Sequence, residues 1–360
     1  MIPRIDALIE PIVKTVTENS VEERDSHPNS ALTNSDTASW QQQLASAITT
    51  PEDLFPLLDL PEQYLQSAIK AARLFPLKVT HSYLSRIKKG DINDPLLRQV
   101  LPLAEELSED SQYSADPVGD INATVVEGLL HKYNSRVLLI PTSVCGIHCR
   151  YCFRRHYPYA EHQPSNSWQQ ALNYIHKDSS ITEVILSGGD PLSLSNNKLF
   201  RLLDRLAEIP HIKRIRFHSR YPIILPKRID SELCEFLKQH RCKMVMVIHC
   251  NHPNELNNDV NQAINCLNNV QVQLLNQSVL LAGVNNNVET LSHLSEILFD
   301  QGVSPYYLHQ LDKVQGAQHF AVSDERAKSL ILSLRKQLSG YLVPRLVREI
   351  EGQPAKQPLF

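Results

Sequence analysis

Three cysteines within eight residues constrain this chain more than any other feature of its sequence. Cys145, Cys149 and Cys152 stand in the run Cys-Gly-Ile-His-Cys-Arg-Tyr-Cys, shortly after the aliphatic run Val137-Leu-Leu-Ile-Pro141. On a loop that leaves a strand, three thiolates at this spacing can converge on one metal centre. They suit a [4Fe–4S] cluster that lacks a fourth protein ligand. A zinc site, which more often uses two separated Cys-x-x-Cys pairs, and a chain without metal remain alternatives.

The composition is that of a globular protein in a reducing compartment. The 360-residue chain is 42% hydrophobic and 21% charged, with a formal net charge of −3, so it offers no electrostatic case for nucleic acid or an anionic membrane. No apolar run approaches the roughly 20 residues that span a bilayer, and the N-terminus lacks the pattern of a signal peptide. Seven cysteines, an odd number, argue against a disulfide framework. We expect a cytoplasmic protein with no membrane and no direct nucleic-acid partner.

The first third of the chain has a helical pattern and no recognisable site chemistry. Residues 1–30 are polar and expected to be partly extended or mobile, and residues 1–110 as a whole are predicted to form a mostly helical N-terminal region. Thr50-Pro-Glu-Asp predicts a helix start, because it combines a threonine cap, a proline in the first turn and acids at the positive end of the helix dipole. A further helix is predicted over Pro95–Leu107, and a polar linker over Ser108–Asp120.

From Val137 onward, short aliphatic runs alternate with helical patterns. This alternation predicts parallel strands with right-handed crossovers, either closing partly into a barrel or lying in a doubly wound sheet. A Gly-x-Gly-x-x-Gly fingerprint is absent, which weakens a dinucleotide-binding interpretation. The predicted strands are Val137–Ile140, Glu183–Leu186, Arg214–His218, Met244–His249, Val279–Leu281 and Pro305–Leu308. The predicted helices are Trp168–Lys177, Leu199–Glu208, Ser231–His240, Val260–Leu267, Glu289–Asp300 and Ser323–Leu338, followed by an irregular tail from Pro344.

A second motif, Ser187-Gly188-Gly189-Asp190-Pro-Leu, directly follows the second predicted strand. Paired glycines let the backbone approach a ligand closely, because no Cβ intervenes. Asp190 and exposed carbonyl groups could then accept hydrogen bonds from a ligand ammonium. A plain strand-to-helix turn is the alternative. The position of the motif one strand after the cysteine loop favours a functional role, since barrel-type folds place chemistry at the C-terminal ends of strands.

Together, the two motifs resemble the signature of radical S-adenosylmethionine proteins. Further motifs narrow the resemblance to the lysine 2,3-aminomutase family, over roughly residues 110–358, and are specific as a set. They are Tyr133-Asn-Ser-Arg136-Val-Leu-Leu, Cys152-Phe-Arg154-Arg155, Ser219-Arg220, His249-Cys-Asn-His252-Pro-Asn-Glu, Asn276-Gln277-Ser-Val-Leu-Leu and Pro305-Tyr-Tyr-Leu-His-Gln-Leu-Asp312. Within that family, the Cys-Arg-Tyr-Cys-Phe-Arg-Arg-His form and the short C-terminus are most similar to the branch that supplies β-lysine for modifying elongation factor P.

The resemblance implies an α/β fold. Residues 111–322 would form a partial (β/α)6 barrel of the TIM type, after the helical region 1–110 and before a C-terminal helix and a tail that binds pyridoxal phosphate (PLP) at 323–360. It implies an isomerase, an intramolecular aminotransferase that converts L-lysine to (R)-β-lysine by radical migration of the 2-amino group to C3. The implied cofactors are a [4Fe–4S] cluster, S-adenosylmethionine and PLP. The implied partners are an external electron donor such as flavodoxin or ferredoxin and, through the product, elongation factor P with its β-lysine ligase.

The resemblance also implies the residues that hold the cofactors. Cys145, Cys149 and Cys152 would bind the cluster, and the Ser187–Asp190 turn would bind the methionyl amine of S-adenosylmethionine. PLP needs a lysine for its Schiff base, and Lys356 matches the family's PLP lysine, although its segment is less glycine-rich than in lysine-degrading relatives. Considered alone, a lysine so near a chain end is more often solvated.

Other matched residues would surround PLP and S-adenosylmethionine. Tyr133 matches a tyrosine next to PLP, and Lys132 and Arg136 are candidate partners of its phosphate. Arg136 could equally be a surface cation at a strand start. Gln277 and His249, at strand ends, are candidate contacts of S-adenosylmethionine, with hydrogen bonding in the core as the alternative.

Substrate contacts are implied in the same way. Arg154 matches the arginine that binds the substrate carboxylate, and its planar fork suits bidentate binding. Asp312 and Glu349 match two acids that bind the ε-ammonium, with Glu349 standing where lysine-degrading relatives have aspartate. Without the resemblance, Asp312 would be an exposed loop acid and Glu349 one member of a solvated charge run.

Three rival functions remain open. The first is an aminomutase for another amino acid, such as glutamate, which Asp312 and Glu349 disfavour because they would repel a second carboxylate. The second is a PLP-independent radical enzyme that modifies a protein or nucleic acid. The third is a non-enzymatic iron–sulfur or zinc module, which the series of strand-end motifs disfavours. Because the chain ends soon after Lys356, we expect a monomer or a weak dimer.

Overall fold

A ten-stranded sheet organises the residues that the computed structural model describes, which are 38–159 and 168–359. Its strands are β1 Thr124–Val126, β2 Leu129–Tyr133, β3 Arg136–Leu139, β4 Glu183–Leu186, β5 Arg214–Ser219, β6 Lys243–His249, β7 Gln273–Val279, β8 Ser304–His309, β9 Arg345–Arg348 and β10 Gln357–Pro358. The strands lie in the sheet in the same order as in the chain.

The pairing of the strands identifies a partial barrel. Neighbouring strands from β3 to β9 are all parallel, whereas β1–β2, β2–β3 and β9–β10 are antiparallel. Each crossover therefore advances one position in the same direction, as in a TIM-type barrel, while a doubly wound sheet reverses at a switch point. Within the described part of the chain β1 and β10 do not pair with each other, so the barrel is open. The implied α/β fold with a partial TIM-type barrel is confirmed.

Helices before, between and after the parallel strands complete the fold. They are α1 Trp40–Ala45, α2 Pro51–Leu57, α3 Leu65–Leu74, α4 His81–Leu84, α5 Gln169–Lys177, α6 Asn196–Ala207, α7 Tyr221–Ile224, α8 Ser231–Gln239, α9 Asn258–Asn269, α10 Val288–Asp300 and α11 Asp324–Gln337. On α6, Leu199, Leu203 and Leu206 recur at helical spacing and are fully buried, and each such leucine contributes about 1.5–3 kcal/mol relative to an exposed one. The predicted helix start at Thr50 is confirmed, since its hydroxyl accepts the backbone N–H of Asp53 at 3.2 Å.

Residue alternation along the strands determines which side chains face the barrel interior. On β5, Ile215 and Phe217 are fully buried, while Arg216 and His218 keep some exposure through the interior. The strand β7 repeats the pattern with Leu275 and Gln277 facing inward. Because side chains alternate faces with a period of two, one face of each strand packs on the helices and the other lines the interior.

One predicted strand was wrong by most of its length. The aliphatic run Val279–Leu281 was predicted as a strand, but the strand is β7 and ends at Val279. Leu280 and Leu281 lie beyond it as fully buried residues of two smaller core clusters. Polar residues stand on both faces of β7, with Gln277 on the inner face and the buried Asn276 and Ser278 on the other, so the strand does not show as a hydrophobic run.

Two further predictions need correction. The helix predicted over Pro95–Leu107 is instead two short 3₁₀ turns, Leu97–Gln99 and Ala104–Leu107, because Pro102 between them has no N–H to donate. The tail from Pro344 is not irregular, since it forms β9 and β10. The prediction for residues 1–30 lies outside the described residues. In the described ranges, no helix has both the length and the apolar character needed to cross a membrane.

Candidate active site

One cavity of about 630 Å³ extends from the barrel interior to the C-terminal ends of the parallel strands. Its volume is that of a small-molecule or cofactor site. It brings together every site residue that the sequence predicts, although their individual roles remain predictions. These residues are Cys145, Cys149, Cys152, Ser187, Gly188, Gly189, Asp190, Lys132, Tyr133, Arg136, Arg154, His249, Gln277, Asp312, Glu349 and Lys356.

The cysteine loop after β3 is held by residues of the N-terminal region and by its own arginines. Lys78 Nζ donates to the carbonyl of Cys145 at 2.9 Å. The fully buried Arg150 side chain donates to both oxygens of Glu106 at 2.8 and 2.6 Å, and Arg155 donates to the same carboxylate at 2.8 Å. Buried ion pairs of this kind fix geometry more than they add stability. The N-terminal region therefore helps to shape the site, although it supplies none of the predicted ligands.

The Gly-Gly-Asp turn after β4 packs directly against the cysteine loop. A Cβ on Gly189 would lie 2.6 Å from the carbonyl carbon of Ser143 and 2.7 Å from the carbonyl oxygen of Val144. Gly188 has a φ of +109°, and a Cβ there would collide with Ile140. Both positions thus require glycine because two segments of this chain approach each other closely. This contact places the two motifs at one corner of the cavity.

The Asp190 carboxylate is occupied by bonds within the chain. It accepts hydrogen bonds from the Ser219 hydroxyl at 2.8 Å, the backbone N–H of Arg220 at 2.7 Å and the backbone N–H of Leu192 at 3.0 Å. Burial raises the pKa of Asp190 to about 6. In this arrangement the carboxylate ties the turn to the end of β5, and a direct ligand contact by Asp190 stays a prediction.

Five charged side chains form a continuous row along the cavity, which we call the charge row. Lys356 Nζ lies 2.5 Å from Glu349 Oε2, and Glu349 Oε1 lies 3.1 Å from Lys132 Nζ. Lys132 Nζ lies 2.5 Å from Asp120 Oδ1, and Asp120 Oδ2 lies 2.6 Å from Arg154 Nε. Cations and anions alternate, so the row couples the predicted PLP lysine to the predicted carboxylate-binding arginine.

Asp120 is a candidate that sequence analysis missed, because it was assigned to the end of a linker. Its side chain is 3% exposed and is shared between Arg154 and Lys132. Burial opposes its ionisation, but these two cations outweigh burial and hold the pKa of Asp120 below its usual range. Its partners lie 12 and 34 residues away in the sequence. No local pattern marks such a residue.

The C-terminal tail returns to the barrel as a two-stranded hairpin. The strand β9 joins β8 in parallel, and β10 pairs antiparallel with β9 through Gln357 and Arg348. In the connecting turn, Gly352 has a φ of +77°, which glycine adopts without strain. The hairpin brings Glu349 and Lys356 together at the cavity. A lysine close to the chain end is thereby held in the site.

The two predicted ammonium-binding acids differ in their ionisation. Burial raises the pKa of Asp312 to about 7, while the Lys356 ammonium acts in the opposite direction. Burial also opposes ionisation of Glu349, but the Lys356 and Lys132 cations outweigh it and hold the pKa of that carboxyl well below its usual range. Glu349 is therefore ionised, whereas Asp312 changes charge near neutral pH.

Two histidines that line the cavity were also missed by sequence analysis. Burial lowers the pKa values of His218 and His309 well below the usual range. The Lys356 cation lowers both pKa values further, and Arg216 also lowers that of His218. Both rings are therefore neutral. Strand alternation could have identified His218, because polar residues alternate with apolar ones along β5 and the polar face is the inner one.

The predicted contacts of S-adenosylmethionine and PLP lie at strand ends around the cavity. His249 stacks on Tyr151 with 5.6 Å between ring centroids, and its Nε2 lies 3.0 Å from the Tyr151 hydroxyl. Burial lowers the pKa of His249 to about 3, so its ring is neutral. Gln277 faces the cavity from β7. The Arg136 guanidinium lies 4.5 Å from the ring centroid of Tyr133.

Comparison with known proteins shows the family of this chain. The Radical SAM superfamily profile matches residues 139–265. The L-lysine 2,3-aminomutase of Escherichia coli (strain K12) is 48% identical over 322 residues, covering 89% of this chain and 94% of that protein. The L-lysine 2,3-aminomutase of Haemophilus influenzae is 47% identical over 319 residues, covering 88% and 94%. That of Clostridium subterminale is 34% identical over 331 residues, covering 91% and 79%.

This chain belongs to the lysine 2,3-aminomutase family. Membership implies a [4Fe–4S] cluster, S-adenosylmethionine and PLP as cofactors. The cysteine loop fits the cluster, because all three sulfurs belong to cavity-lining residues and Arg220 donates to Cys149 Sγ at 2.8 Å. Among the residues that the structure describes, no group of three His, Cys, Asp or Glu side chains is arranged to bind a single metal ion. A [4Fe–4S] cluster does not need such an arrangement, since each thiolate binds a different iron.

The charge row fits the PLP of the lysine 2,3-aminomutase family. Lys356 offers an amine for a Schiff base inside the cavity. Lys132 and Arg136 are the predicted phosphate partners, and Lys132 already contacts the carboxylates of Asp120 and Glu349. We therefore expect Arg136 to be the better phosphate partner of the two.

Proposed function

We propose that this protein is a PLP-dependent radical L-lysine 2,3-aminomutase that converts L-lysine to (R)-β-lysine. The observation that carries the proposal is that the cysteine loop and the charge row line one cavity. A cluster loop alone is compatible with many radical reactions. A lysine amine, an arginine and paired carboxylates in the same cavity suit an amino acid substrate that is held on PLP.

The cofactors supply the reactive chemistry: the cluster reductively cleaves S-adenosylmethionine, and PLP holds the migrating amino group. The protein binds and orients them. Cys145, Cys149 and Cys152 would hold the cluster through three thiolates, and no fourth protein ligand is assigned to it. Lys356 would hold PLP through its amine. Orientation of this kind contributes to catalysis because the reacting groups meet without a further loss of rotational and translational freedom.

A lysine substrate brings one carboxylate and one distal ammonium, and the site offers a partner to each. Asp120 anchors Arg154 through its Nε at 2.6 Å, and Arg154 Nη1 donates to Ser187 Oγ at 3.3 Å, so Nη2 is the part of the guanidinium offered to the substrate carboxylate. Glu349 already accepts a hydrogen bond from an alkylammonium, that of Lys356, at 2.5 Å. The substrate's ε-ammonium is the same chemical group, so this carboxylate is suited to bind it. Asp312 supplies a second carboxylate when ionised.

The same acids disfavour the glutamate rival. The distal group of glutamate is a carboxylate, which would meet the carboxylate of Glu349 in a partly buried site. Like charges at short distance in a low dielectric repel by several kcal/mol. Lysine is therefore the better substrate for this charge arrangement.

We further propose that the β-lysine product serves the modification of elongation factor P by a separate ligase. The support is the resemblance of the Cys-Arg-Tyr-Cys-Phe-Arg-Arg-His form of the cysteine loop to that branch of the family. An external one-electron donor of the flavodoxin or ferredoxin type would reduce the cluster. All seven cysteines are free thiols, which supports a reducing, cytoplasmic compartment.

The activity is tested by supplying the reconstituted full chain with PLP, S-adenosylmethionine, dithionite and either L-lysine or L-glutamate under anaerobic conditions. Chiral chromatography should find (R)-β-lysine from lysine and no β-amino acid from glutamate. Cleavage of S-adenosylmethionine without amino migration on either substrate would favour the macromolecule-modifying rival. Formation of (S)-β-lysine would contradict the proposed stereochemistry alone.

The downstream role is tested separately in cells. The intact mass of elongation factor P should lack the β-lysyl addition when the gene for this chain is deleted. Added (R)-β-lysine should restore the mass, because only the supply of product is missing. An unchanged mass in the deletion strain would overturn the link to elongation factor P and leave the aminomutase activity untouched.

A further inference from the structure

Arg220 connects the cysteine loop to a buried carboxylate. It follows β5, and its backbone N–H is fixed by Asp190 at 2.7 Å. Its Nη1 donates to Cys149 Sγ at 2.8 Å, and its Nη2 donates to Glu255 Oε2 at 2.9 Å. The positive guanidinium therefore lies between a predicted cluster ligand and a negative charge.

The guanidinium is held in one position by several independent contacts. Its carbon lies 5.3 Å from the ring centroid of Tyr83 and 5.7 Å from that of Tyr151. Its Nη2 also donates to Gln99 Oε1 at 2.7 Å. The Arg220 side chain is 6% exposed. A cation so fully enclosed cannot swing away to be solvated when the charge of its neighbours changes.

Glu255 is fixed as firmly as Arg220. Its side chain is fully buried and accepts the backbone N–H of Asn251 at 2.8 Å and of His252 at 3.1 Å. Burial opposes its ionisation, but the Arg220 cation outweighs burial and keeps the pKa of Glu255 below its usual range. Cys149, Arg220 and Glu255 therefore form a series of sulfur, cation and anion.

We propose that Arg220 and Glu255 set the reduction potential of the [4Fe–4S] cluster with opposite signs. Reduction adds one negative charge to a cluster, and hydrogen bonds to its sulfurs and nearby charges shift its potential. The Arg220 cation, which contacts Cys149 Sγ, stabilises the added negative charge of the reduced cluster. The Glu255 carboxylate lies on the other side of the guanidinium and partly offsets this stabilisation. Neither residue carries a role in the substrate or PLP contacts proposed above, so the inference rests on the cluster and not on the choice of amino acid.

A purely structural role for the pair predicts a different outcome. If Arg220 and Glu255 only supported the cysteine loop, removal of either would loosen the same loop and shift the potential in the same direction or not at all. Electrostatic tuning predicts shifts of opposite sign. The charge-neutral double variant, which keeps two amides in place of the ion pair, should return towards the wild-type value.

The test is a redox titration of the anaerobically reconstituted full chain, followed by electron paramagnetic resonance, without lysine or PLP. Arg220→Gln should disfavour reduction at least tenfold, which is a midpoint shift of about −59 mV for a one-electron couple. Glu255→Gln should shift the midpoint to a higher value, and Arg220→Lys should stay closer to wild type than Arg220→Gln.

The control is Asp324→Asn, which removes the partner of Arg348 in an ion pair outside this network and should leave the midpoint unchanged.

Iron content is measured on every variant so that potentials are compared at equal cluster loading. If Arg220→Gln fails to bind a cluster, Glu255→Gln and the double variant still decide the matter. A midpoint that is unchanged or lowered in loaded Glu255→Gln overturns the proposal. Because the titration contains no amino acid, failure here is independent of whether the chain converts lysine to β-lysine.

Discussion

Lys356 Nζ lies 2.5 Å from Glu349 Oε2 across the turn between β9 and β10. One carboxylate therefore faces both the proposed PLP lysine and the proposed position of the substrate ammonium. Through Lys132 and Asp120 the same contact extends to Arg154. Changes at one end of the charge row are thus expected to affect binding at the other.

Glu349→Gln removes the carboxylate charge and nearly preserves the shape of the side chain. A lost charge-assisted hydrogen bond of about 1.5–3 kcal/mol predicts a fall of roughly 10- to 100-fold in kcat/KM for L-lysine. Glu349→Asp keeps the charge and should lose less. Steady-state kinetics at equal iron and PLP content makes the comparison. Unchanged lysine turnover in Glu349→Gln would remove this carboxylate from substrate recognition.

Asp312 predicts a pH dependence of stability in the cofactor-free protein. Because its pKa is raised to about 7 in the folded state, the folded chain binds a proton that the unfolded chain has already lost above pH ~4. Its contribution to stability is therefore present at low pH and is lost as the pH rises through about 7. The charged groups that face Asp312 are the cations Lys356 and Lys132, which favour its ionised form, and the acids Glu349 and Asp120, which oppose it.

Asp312→Asn removes this titration. The free energy of unfolding of the variant, taken relative to that of wild type at the same pH, should therefore rise as the pH increases from about 5.5 to about 8.5. These values lie below and above the raised pKa of Asp312. Urea unfolding at several pH values measures the difference, in which the other titrating groups largely cancel. A difference that is constant across the window would mean that Asp312 does not titrate there.

Gly189→Ala tests the contact between the Gly-Gly-Asp turn and the cysteine loop. The new Cβ would lie 2.6 Å from the Ser143 carbonyl carbon, and backbone that must shift costs about 1–3 kcal/mol. We expect a lower urea midpoint together with lower iron content after reconstitution. The matched control is Gly340→Ala, because a Cβ there meets no atom within 4 Å. Equal behaviour of the two variants would contradict the proposed packing.

Asp120→Asn tests the coupling within the charge row. Arg154 and Lys132 would lose a shared buried anion, and breaking a buried ion pair by removing one partner costs about 3–5 kcal/mol. The double variant Asp120→Asn/Lys132→Met also removes one of the two cations that have lost their anion, and it should recover part of the lost free energy of unfolding. Denaturant unfolding of the single and double variants gives the coupling energy. Additive effects would show that the row does not act as a unit.

Much of the site could be predicted from the sequence because its motifs are local. The cysteine loop and the Gly-Gly-Asp turn each lie within eight residues, and each follows a strand whose aliphatic run marks its position. Their meeting follows from the barrel, since parallel neighbouring strands end on the same side. Lys356 depended on resemblance alone, because nothing in its own segment indicates the hairpin that holds it.

Other features could not be predicted because they depend on the three-dimensional arrangement. The strand β7 carries polar residues on both faces, among them the buried Asn276 and Ser278, so the aliphatic run that follows it was predicted as the strand instead. Asp120 belongs to no motif, and its role follows from partners on other segments. Arg220 was part of a matched motif, but its contact with Cys149 becomes apparent only in the fold.

We propose that Lys356, on the C-terminal hairpin, makes the radical cluster site an aminomutase site by binding PLP. The most direct measurement is borohydride reduction of the PLP-loaded protein, followed by peptide mapping. We expect a pyridoxyl group on Lys356 and none in Lys356→Ala, whose iron content should be unchanged. Lys132 is the internal comparison, since its ammonium contacts the same Glu349 carboxylate. A pyridoxyl group on Lys132, or trapping that persists in Lys356→Ala, would show that Lys356 is not the lysine that binds PLP.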